Sequence, residues 1–300
     1  MLRTAVAVVG ALAFGGADSF ADPKFEYGKA DEVAKVKGTE YNASAEAGIV
    51  FTTGNSETTT ATAGFKAARK TGQNKIAAEG SLTYAKSGVR VLRDNNGNGL
   101  VDDATEITTE KTTTAETLAA KIRYDRFLTT FNSLFVALLA ARDIPAGKDN
   151  VLGVQTGYSR QLYKSKAAEA VGEFGYDYSH EDLVTGKSNS IHSLRGFLGY
   201  KAEMTEGTNF ETNLEILSNL NHEDLATRAD GASWGEDTRL TFKASVSAKI
   251  GKNLSFQTTL EAHYDHCPAP LTIKNLRMGF VPEASKFDTI MKASLIYTIF

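Results

Sequence analysis

Apolar and polar side chains alternate along one segment of this chain after another, and this period of two constrains its fold more than any other feature. Residues 286–300 show it clearly, because apolar side chains recur at Met291, Ala293, Leu295, Tyr297 and Ile299 with mostly polar residues between them. Alternation of this kind is typical of a β-strand that has one apolar face. The pattern predicts an all-β protein.

The alternation repeats often enough to predict about twelve strands. An even number of antiparallel strands in up-and-down order, with apolar side chains facing lipid and polar ones facing a lumen, is the arrangement of a transmembrane β-barrel. An exported sandwich or solenoid would also alternate and is the soluble alternative. The predicted strands are residues 41–51, 61–67, 76–84, 118–125, 134–141, 151–162, 168–179, 190–201, 209–218, 238–250, 254–264 and 286–300.

The lengths of the connections favour the barrel over the soluble alternative. Outer-membrane barrels have short periplasmic turns and longer extracellular loops, whereas a sandwich or a solenoid does not predict such one-sided lengths. With a periplasmic N-terminus, the predicted turns are 70–74, 128–132, 163–167, 204–208 and 251–253. The predicted loops on the opposite side, most of them longer, are 54–57, 87–113, 143–150, 180–189, 219–237 and 265–285.

The first residues predict export. Arg3 precedes an apolar stretch and then Ser19-Phe20-Ala21, a pattern typical of a secretory signal peptide cut after Ala21. We therefore expect a signal peptide at 1–21 that uses the Sec route, a periplasmic N-terminal arm at 22–40, and a barrel at 41–300 in the bacterial outer membrane. Cys267 is the single cysteine, which excludes a disulfide within the chain.

Charge and location define the expected partners. The net charge of -3 provides no strong basic field, so nucleic acid is not an expected partner. We expect contact with outer-membrane lipid and lipopolysaccharide, and with the barrel-assembly machinery during insertion. The barrel is predicted to be a monomer.

Four local features form a recognisable set. They are the segment TTGNSETTT at 52–60, the strand end from Arg123-Tyr124 to Leu128, the Arg142-Asp143 tip, and Tyr264 with Pro268 and Pro270 beyond it. Together they resemble the salt-stress-induced outer-membrane protein family, which is domain of unknown function family 481, over about 41–300. The resemblance implies an outer-membrane barrel with a role in salt or osmotic stress and envelope integrity. It implies no catalytic residues, so we predict a protein that is not an enzyme.

Two features depart from the family's pattern. The insert at 87–113 is unusual, and we interpret it as a long polar loop. In addition, the C-terminal strand ends on an aromatic residue, as outer-membrane barrels do, but its phase places Ile299 rather than Phe300 on the apolar face. Phe300 is then expected to face the lumen or to bend over the periplasmic rim.

The insert also contains the spacing of a calcium loop. Oxygen-bearing side chains occupy loop positions one, three, five and nine, at Asp94, Asn96, Asn98 and Asp102, and Gly99 occupies position six. Position twelve, which normally supplies a bidentate carboxylate, is Thr105. The pattern predicts weak calcium binding and no other cofactor; the alternative interpretation is a solvated polar turn.

Two nearly identical hexapeptides, HEDLVT from His180 and HEDLAT from His222, each follow a predicted strand. With His192, His263 and His266 they place all five histidines towards one mouth of the barrel. Histidines beside carboxylates could bind a transition metal or act in hydrolysis. No Ser-His pair or closed ligand spacing accompanies them, which favours solvated loop residues over a metal site or a hydrolase at the rim.

The polar phase of the strands carries charges of both signs into the predicted lumen. Such residues either line an aqueous path or pair with one another and close it. The first outcome predicts a small-solute or ion channel, and the second a closed barrel. The inward candidates are Lys66, Glu79, Lys121, Arg123, Asp125, Glu173, Asp177, Arg195, Lys201, Glu215, Lys243 and Glu261.

Overall fold

The structure is a computed structural model that describes residues 38–52, 57–92, 107–144, 147–184, 186–224, 230–268 and 285–299. The predicted signal peptide at 1–21, nearly all of the predicted arm at 22–40, and Phe300 lie outside the described residues.

Twelve antiparallel strands close into one barrel, as the alternation predicts. Each strand pairs with its neighbours along the chain, and the last pairs with the first. The strands are β1 (Thr39–Thr52), β2 (Glu57–Thr71), β3 (Asn74–Leu92), β4 (Ile107–Phe127), β5 (Asn132–Asp143), β6 (Lys148–Lys164), β7 (Ala168–Leu183), β8 (Ser188–Thr205), β9 (Thr208–Asn219), β10 (Thr238–Lys249), β11 (Leu254–Asp265) and β12 (Phe287–Thr298).

The barrel is polar inside and apolar outside. On β5, for example, Leu134, Val136 and Leu138 are exposed on the outer wall, while Ser133, Phe135 and Ala137 at the alternate positions are buried in the lumen. Most of the buried side chains among the described residues are polar or charged, and the exposed ones include many large apolar side chains. This is the reverse of a water-soluble core, so the outer wall suits contact with lipid.

The final strand follows the predicted phase. Met291, Leu295, Tyr297 and Ile299 are exposed apolar side chains on the outer wall. Among the described residues, no helix has the length and apolarity needed to cross a membrane.

The strands are longer at one end than the sequence indicates, which corrects two predicted loops. The flanks of the 87–113 insert extend the β3–β4 hairpin to Leu92 and from Ile107, with Ser87 paired to Thr112. Residues 93–106 of the insert lie outside the described residues. Likewise β7 continues to Leu183 and β8 begins at Ser188, inside the predicted 180–189 loop. Strands beyond the lipid need no apolar face, so alternation does not mark their ends.

The predicted asymmetry of the two ends holds at three connections. Residues 93–106, 220–237 and 266–286 join strands at the same end of the barrel, which we call the long-loop end. The connections 72–73, 128–131, 165–167, 206–207 and 250–253 lie at the opposite, short-turn end. The long-loop end also has three short connections, at 53–56, 144–147 and 184–187. The first is as short as predicted, and the other two are shorter because the strands beside them extend further than predicted.

Gly157 on β6 is paired in register with Gly175 on β7. A Cβ atom at Gly157 would lie 2.5 Å from the Phe174 carbonyl oxygen and 3.0 Å from the Phe135 ring. We therefore expect Gly157→Ala to lower the free energy of unfolding by about 1–3 kcal/mol, the usual cost of overpacking.

Urea unfolding of the refolded barrel, followed by circular dichroism and by gel mobility without heating, measures this loss. Gly196→Ala on β8 is the matched control, because a Cβ there meets no atom within 4 Å among the described residues. Equal stability of the two variants would contradict the steric explanation.

Candidate functional site

Arg123 forms an ion pair that crosses the lumen. Its Nη2 atom lies 2.7 Å from Asp125 Oδ1 on the same strand, β4, and 2.7 Å from Glu173 Oε1 on β7. Its Nε atom also donates to Asp125 at 3.0 Å, and its Nη1 atom donates to Glu173 Oε2 at 3.1 Å. Strands β5 and β6 separate β4 from β7 in the wall, so these bonds join residues that are not neighbours in the sheet.

Glu173 continues the network through a second arginine. Its Oε2 atom accepts a hydrogen bond from Arg195 Nη1 on β8 at 2.8 Å, and Arg195 Nε in turn donates to Glu215 on β9. The chain Asp125–Arg123–Glu173–Arg195–Glu215 therefore connects β4 to β9. We call these five residues the ionic septum. All five are at least nine-tenths buried.

Aromatic rings cover the two guanidinium groups of the septum. The Phe135 ring centroid lies 3.9 Å from Arg123 Cζ and 5.5 Å from Arg195 Cζ, and the Phe197 ring lies 5.2 Å from Arg195 Cζ. These distances allow cation–π attraction, which is stronger where water is excluded. The rings also fill lumen space beside the ion pairs, so the septum is a packed layer.

The lumen on the short-turn side of the septum is wide. A cavity of about 1210 Å³ opens there, which we call the vestibule. Its wall carries charges of both signs: Lys70, Lys164, Lys166, Lys201, Glu40, Glu169, Glu203 and Glu211. Towards the long-loop end a smaller cavity of about 100 Å³ lies between Glu215 of the septum and Arg239. The larger of these two cavities thus lies at the short-turn end.

Arg239 on β10 organises a second group of charges nearer the long-loop end. Its guanidinium nitrogens lie 2.7 Å from Glu181 on β7, 2.9 Å from Asp237, and 3.8 Å from Asp265 on β11. Lys148 on β6 adds a 3.2 Å contact to Glu181. We call these five residues the Arg239 cluster. The cluster connects four strands, β6, β7, β10 and β11, in the part of the lumen nearer the long-loop end.

The connection 220–237 folds Glu223 against this cluster. Glu223 is 3% exposed, and its backbone pairs with Ala232 across the connection. Neither carboxylate oxygen has a hydrogen-bond partner among the described residues. Burial, and then the nearby Asp237 carboxylate, raise the pKa of Glu223 from 4.5 to about 7. The connection therefore carries an acid that changes charge near neutral pH.

Ionisation of Glu223 is expected to loosen the connection as pH rises. Because the folded pKa is raised, the folded state holds the proton more tightly, and this contribution to stability is present at acidic pH and lost as pH rises through about 7. Above that pH the carboxylate faces Asp237 and Glu181, with Arg239 as the compensating cation.

Hydrogen exchange of peptides covering 219–237 at pH 5.5 and pH 8.5 checks this effect. Faster exchange is expected at pH 8.5, after correction for the intrinsic pH dependence. In Glu223→Gln the difference should disappear, since the amide does not titrate. A pH difference that survives in Glu223→Gln would assign the effect to another group.

The structure confirms the inward phase of the predicted lumen residues. Ten of the twelve are buried, and Lys66 and Lys201 are half-buried. The sequence missed Lys148, Glu181, Asp237 and Arg239 as lumen residues. Glu181 was expected in a rim loop, although it continues the alternate positions of Glu173 and Asp177 along β7.

The histidines do not assemble into one site. His180 and His192 lie on the outer wall, where His180 Nδ1 is 3.0 Å from Ser190 Oγ and His192 Nδ1 contacts the Tyr176 hydroxyl. His263 is buried in the lumen, and His222 lies in the 220–237 connection. Within the described part of the chain, no group of three or more His, Cys, Asp or Glu residues could hold a metal ion.

The calcium-loop candidates Asp94, Asn96, Asn98 and Asp102 lie outside the described residues.

A closed barrel with an even number of strands, an apolar outer wall and a charged lumen defines a transmembrane β-barrel of the outer-membrane type. The family model described as "Protein of unknown function, DUF481" matches residues 45–299. The chain belongs to this family, which confirms the predicted resemblance to domain of unknown function family 481, while the role in salt stress stays a prediction.

Solved structures with a similar fold are outer-membrane proteins of low sequence identity. The NanC porin is 7% identical, with 86% of this chain and 100% of that chain covered and a TM-score of 0.44. An anion-selective porin from Comamonas acidovorans is 11% identical (87% and 99% covered, TM-score 0.38). The translocator domain of the autotransporter NalP from Neisseria meningitidis is 13% identical (90% and 91% covered, TM-score 0.37). No curated protein sequence matches the chain.

Proposed function

We propose that the chain is a non-enzymatic outer-membrane barrel whose lumen is closed in its resting state, so that it is a structural component of the envelope and not an open pore. The ionic septum is the observation that carries this proposal. It joins β4, β7, β8 and β9 through hydrogen-bonded ion pairs in a part of the lumen from which water is excluded.

The energetics of the septum favour the closed state. A buried charge that loses its partner is strongly destabilising. Each of the two guanidinium groups is shared between two carboxylates, and Glu173 accepts from both arginines. Opening the lumen at the septum would therefore break several charge-assisted hydrogen bonds at once. The cavities support the same function, because the large vestibule lies at the short-turn end and the cavity beside Glu215 of the septum holds only about 100 Å³.

Reconstitution into planar bilayers tests the proposal. The purified barrel is expected to give no conductance steps in about 1 M KCl. A porin added to the same bilayer serves as a positive control for insertion. Regular steps from the unmodified barrel would reject the closed resting state and favour the second candidate function, an ion channel for which the mixed-charge vestibule would be one mouth.

The cellular role implied by the family resemblance is a response to salt or osmotic stress that maintains the envelope. Export by the Sec route, a monomeric state, and contact with lipopolysaccharide and the assembly machinery are parts of the same proposal. The outward apolar wall supports the membrane location. A deletion strain that grows and excludes detergent at high salt as well as the parent would reject the stress role.

A further inference from the structure

The interface between β1 and β12, which we call the seam, is paired over only part of its length. The ladder contains Ser44↔Thr298, Ala45↔Tyr297, Glu46↔Ile296 and Ala47↔Leu295. The Ile299 N–H also donates to the Ala43 carbonyl at 2.9 Å. By contrast, β10 and β11 pair from Arg239↔Asp265 to Lys249↔Ser255. Among the described residues, 48–52 of β1 and 287–294 of β12 do not pair with each other.

The unpaired part of the seam lies within the apolar wall, on the side of the long-loop end. Ile49 on β1 and Met291 on β12 are exposed apolar side chains at this level. The strands still lie side by side, since a Cβ at Gly48 would be 3.3 Å from the Ala293 carbonyl oxygen. Unpaired backbone groups are unfavourable in lipid, and here the strands can separate without losing a ladder hydrogen bond.

Two lysines lie on the lumen side, next to this part of the seam. Lys292 on β12 places its Nζ atom 3.5 Å from Glu261 Oε2 on β11, and Lys243 on β10 places its Nζ atom 3.9 Å from Glu261 Oε1. His263 Nε2 is 3.7 Å from Glu261 Oε2, and Asp288 of β12 pairs in register with His263. One carboxylate therefore lies between two ammonium groups.

The contacts in this group are too long for hydrogen bonds. Lys243 Nζ, Glu261 Oε2 and His263 Nε2 are buried and have no hydrogen-bond partner within the described part of the chain. The side chains of Lys243, Glu261 and His263 are 3–5% exposed. Buried polar atoms are normally hydrogen-bonded. A second acidic group at this place would give each lysine its own acceptor.

We propose that the unpaired half of the seam is a lateral portal for an anionic amphiphile with one acyl chain. The head group, a carboxylate or a phosphate, lies in the lumen beside Glu261, where it contacts Lys243 and Lys292 from the side that Glu261 leaves free. The acyl chain leaves the barrel between β1 and β12, past Ile49 and Met291, and reaches the lipid. The two sides of the seam thus match the two parts of such a molecule, and this site does not depend on the state of the ionic septum.

A disulfide that closes the portal tests the proposed route. Continuing the register of the seam places Ile49 opposite Ala293, and opposing residues of antiparallel strands are close enough for a disulfide, about 4.5–5.5 Å between Cα atoms. Both cysteine pairs are made in a Cys267→Ser background. Binding of radiolabelled palmitate to the full barrel in an uncharged detergent is measured by equilibrium dialysis.

Oxidised Ile49→Cys/Ala293→Cys is expected to lose palmitate binding and to regain it on reduction. Ala47→Cys/Leu295→Cys is the matched control, because it joins residues that are already paired, and its oxidation should change nothing. Equal binding by the oxidised and reduced forms of the first pair would overturn the portal. Absence of palmitate binding to the unmodified barrel would overturn the proposed amphiphile site. It would not affect the proposed closed lumen, which the conductance measurement tests separately.

Lysine variants test the head-group site. Lys292→Gln and Lys243→Gln should each weaken palmitate binding by roughly tenfold, as expected for one lost charge-assisted contact. Lys252→Gln in the exposed β10–β11 turn should not. Dodecyl phosphate should compete with palmitate, whereas hexadecanol, acetate and inorganic phosphate should not. Competition by hexadecanol or equal binding by all three lysine variants would contradict recognition of an anionic head group.

Discussion

Replacing Arg123 and Arg195 together by alanine is expected to convert a non-conducting barrel into one that passes ions in regular steps. Each of the two guanidinium groups contacts carboxylates on two strands: Arg123 contacts β4 and β7, and Arg195 contacts β7 and β9. Removing them leaves Asp125, Glu173 and Glu215 on separate parts of the wall, where like charges repel and attract water. Water would then connect the vestibule with the smaller cavity between Glu215 and Arg239.

The conducting variant should select cations. Three carboxylates remain at the level of the septum without their arginines, so the local field is negative. Reversal potentials across a KCl gradient measure this preference. Because the selective charges are few, we expect a moderate permeability ratio of K⁺ over Cl⁻, which increases as the salt concentration is lowered and screening weakens.

Arg142→Ala is the matched control for this experiment. Arg142 also pairs with a carboxylate, Asp149 at 3.0 Å, but both side chains are about half exposed on the surface. The Arg142→Ala barrel should give no conductance steps in the bilayer. The septum would not be the barrier if Arg123→Ala/Arg195→Ala folded, as shown by its unheated gel mobility, and still gave no current, or if Arg142→Ala conducted equally.

The strand phase could be predicted from the sequence because lipid imposes it. Every outward position within the apolar wall must be compatible with hydrocarbon, so Met291, Leu295 and Tyr297 reveal their strand without knowledge of its neighbours. Beyond the lipid, outward positions no longer need to be apolar, so the alternation is lost there. The Thr-rich flank 107–113 therefore resembles a loop in sequence although it pairs as a strand with β3.

The partners across the lumen could not be predicted in the same way. Arg123 and Glu173 are separated by 50 positions in the chain and by two strands in the wall. Which inward residues meet depends on the stagger of the whole barrel, a property of all twelve registers together. Alternation identified both residues as inward, but it left open whether their charges would line a path or close it.

Replacing Glu173 alone by alanine is expected to destabilise the barrel more than the loss of any other single septum carboxylate. Glu173 accepts from Arg123 and Arg195 at 2.7–3.1 Å, so its removal leaves both buried guanidinium groups short of a partner. Breaking a buried ion pair by removing one partner costs about 3–5 kcal/mol. Urea unfolding of the refolded barrel measures the change in the free energy of unfolding.

Two comparisons isolate the cause of that loss. Glu211→Ala removes a carboxylate that lies 3.8 Å from Lys201 at the partly exposed vestibule, and we expect it to cost less than about 1 kcal/mol. In a variant that replaces all five septum residues by apolar groups, Asp125→Leu/Arg123→Met/Glu173→Leu/Arg195→Met/Glu215→Leu, no charge of the septum is left without its septum partner, and much of the stability should return. If Glu173→Ala were no less stable than Glu211→Ala, the ionic septum would contribute little to holding the strands together, and its role would be confined to blocking the lumen.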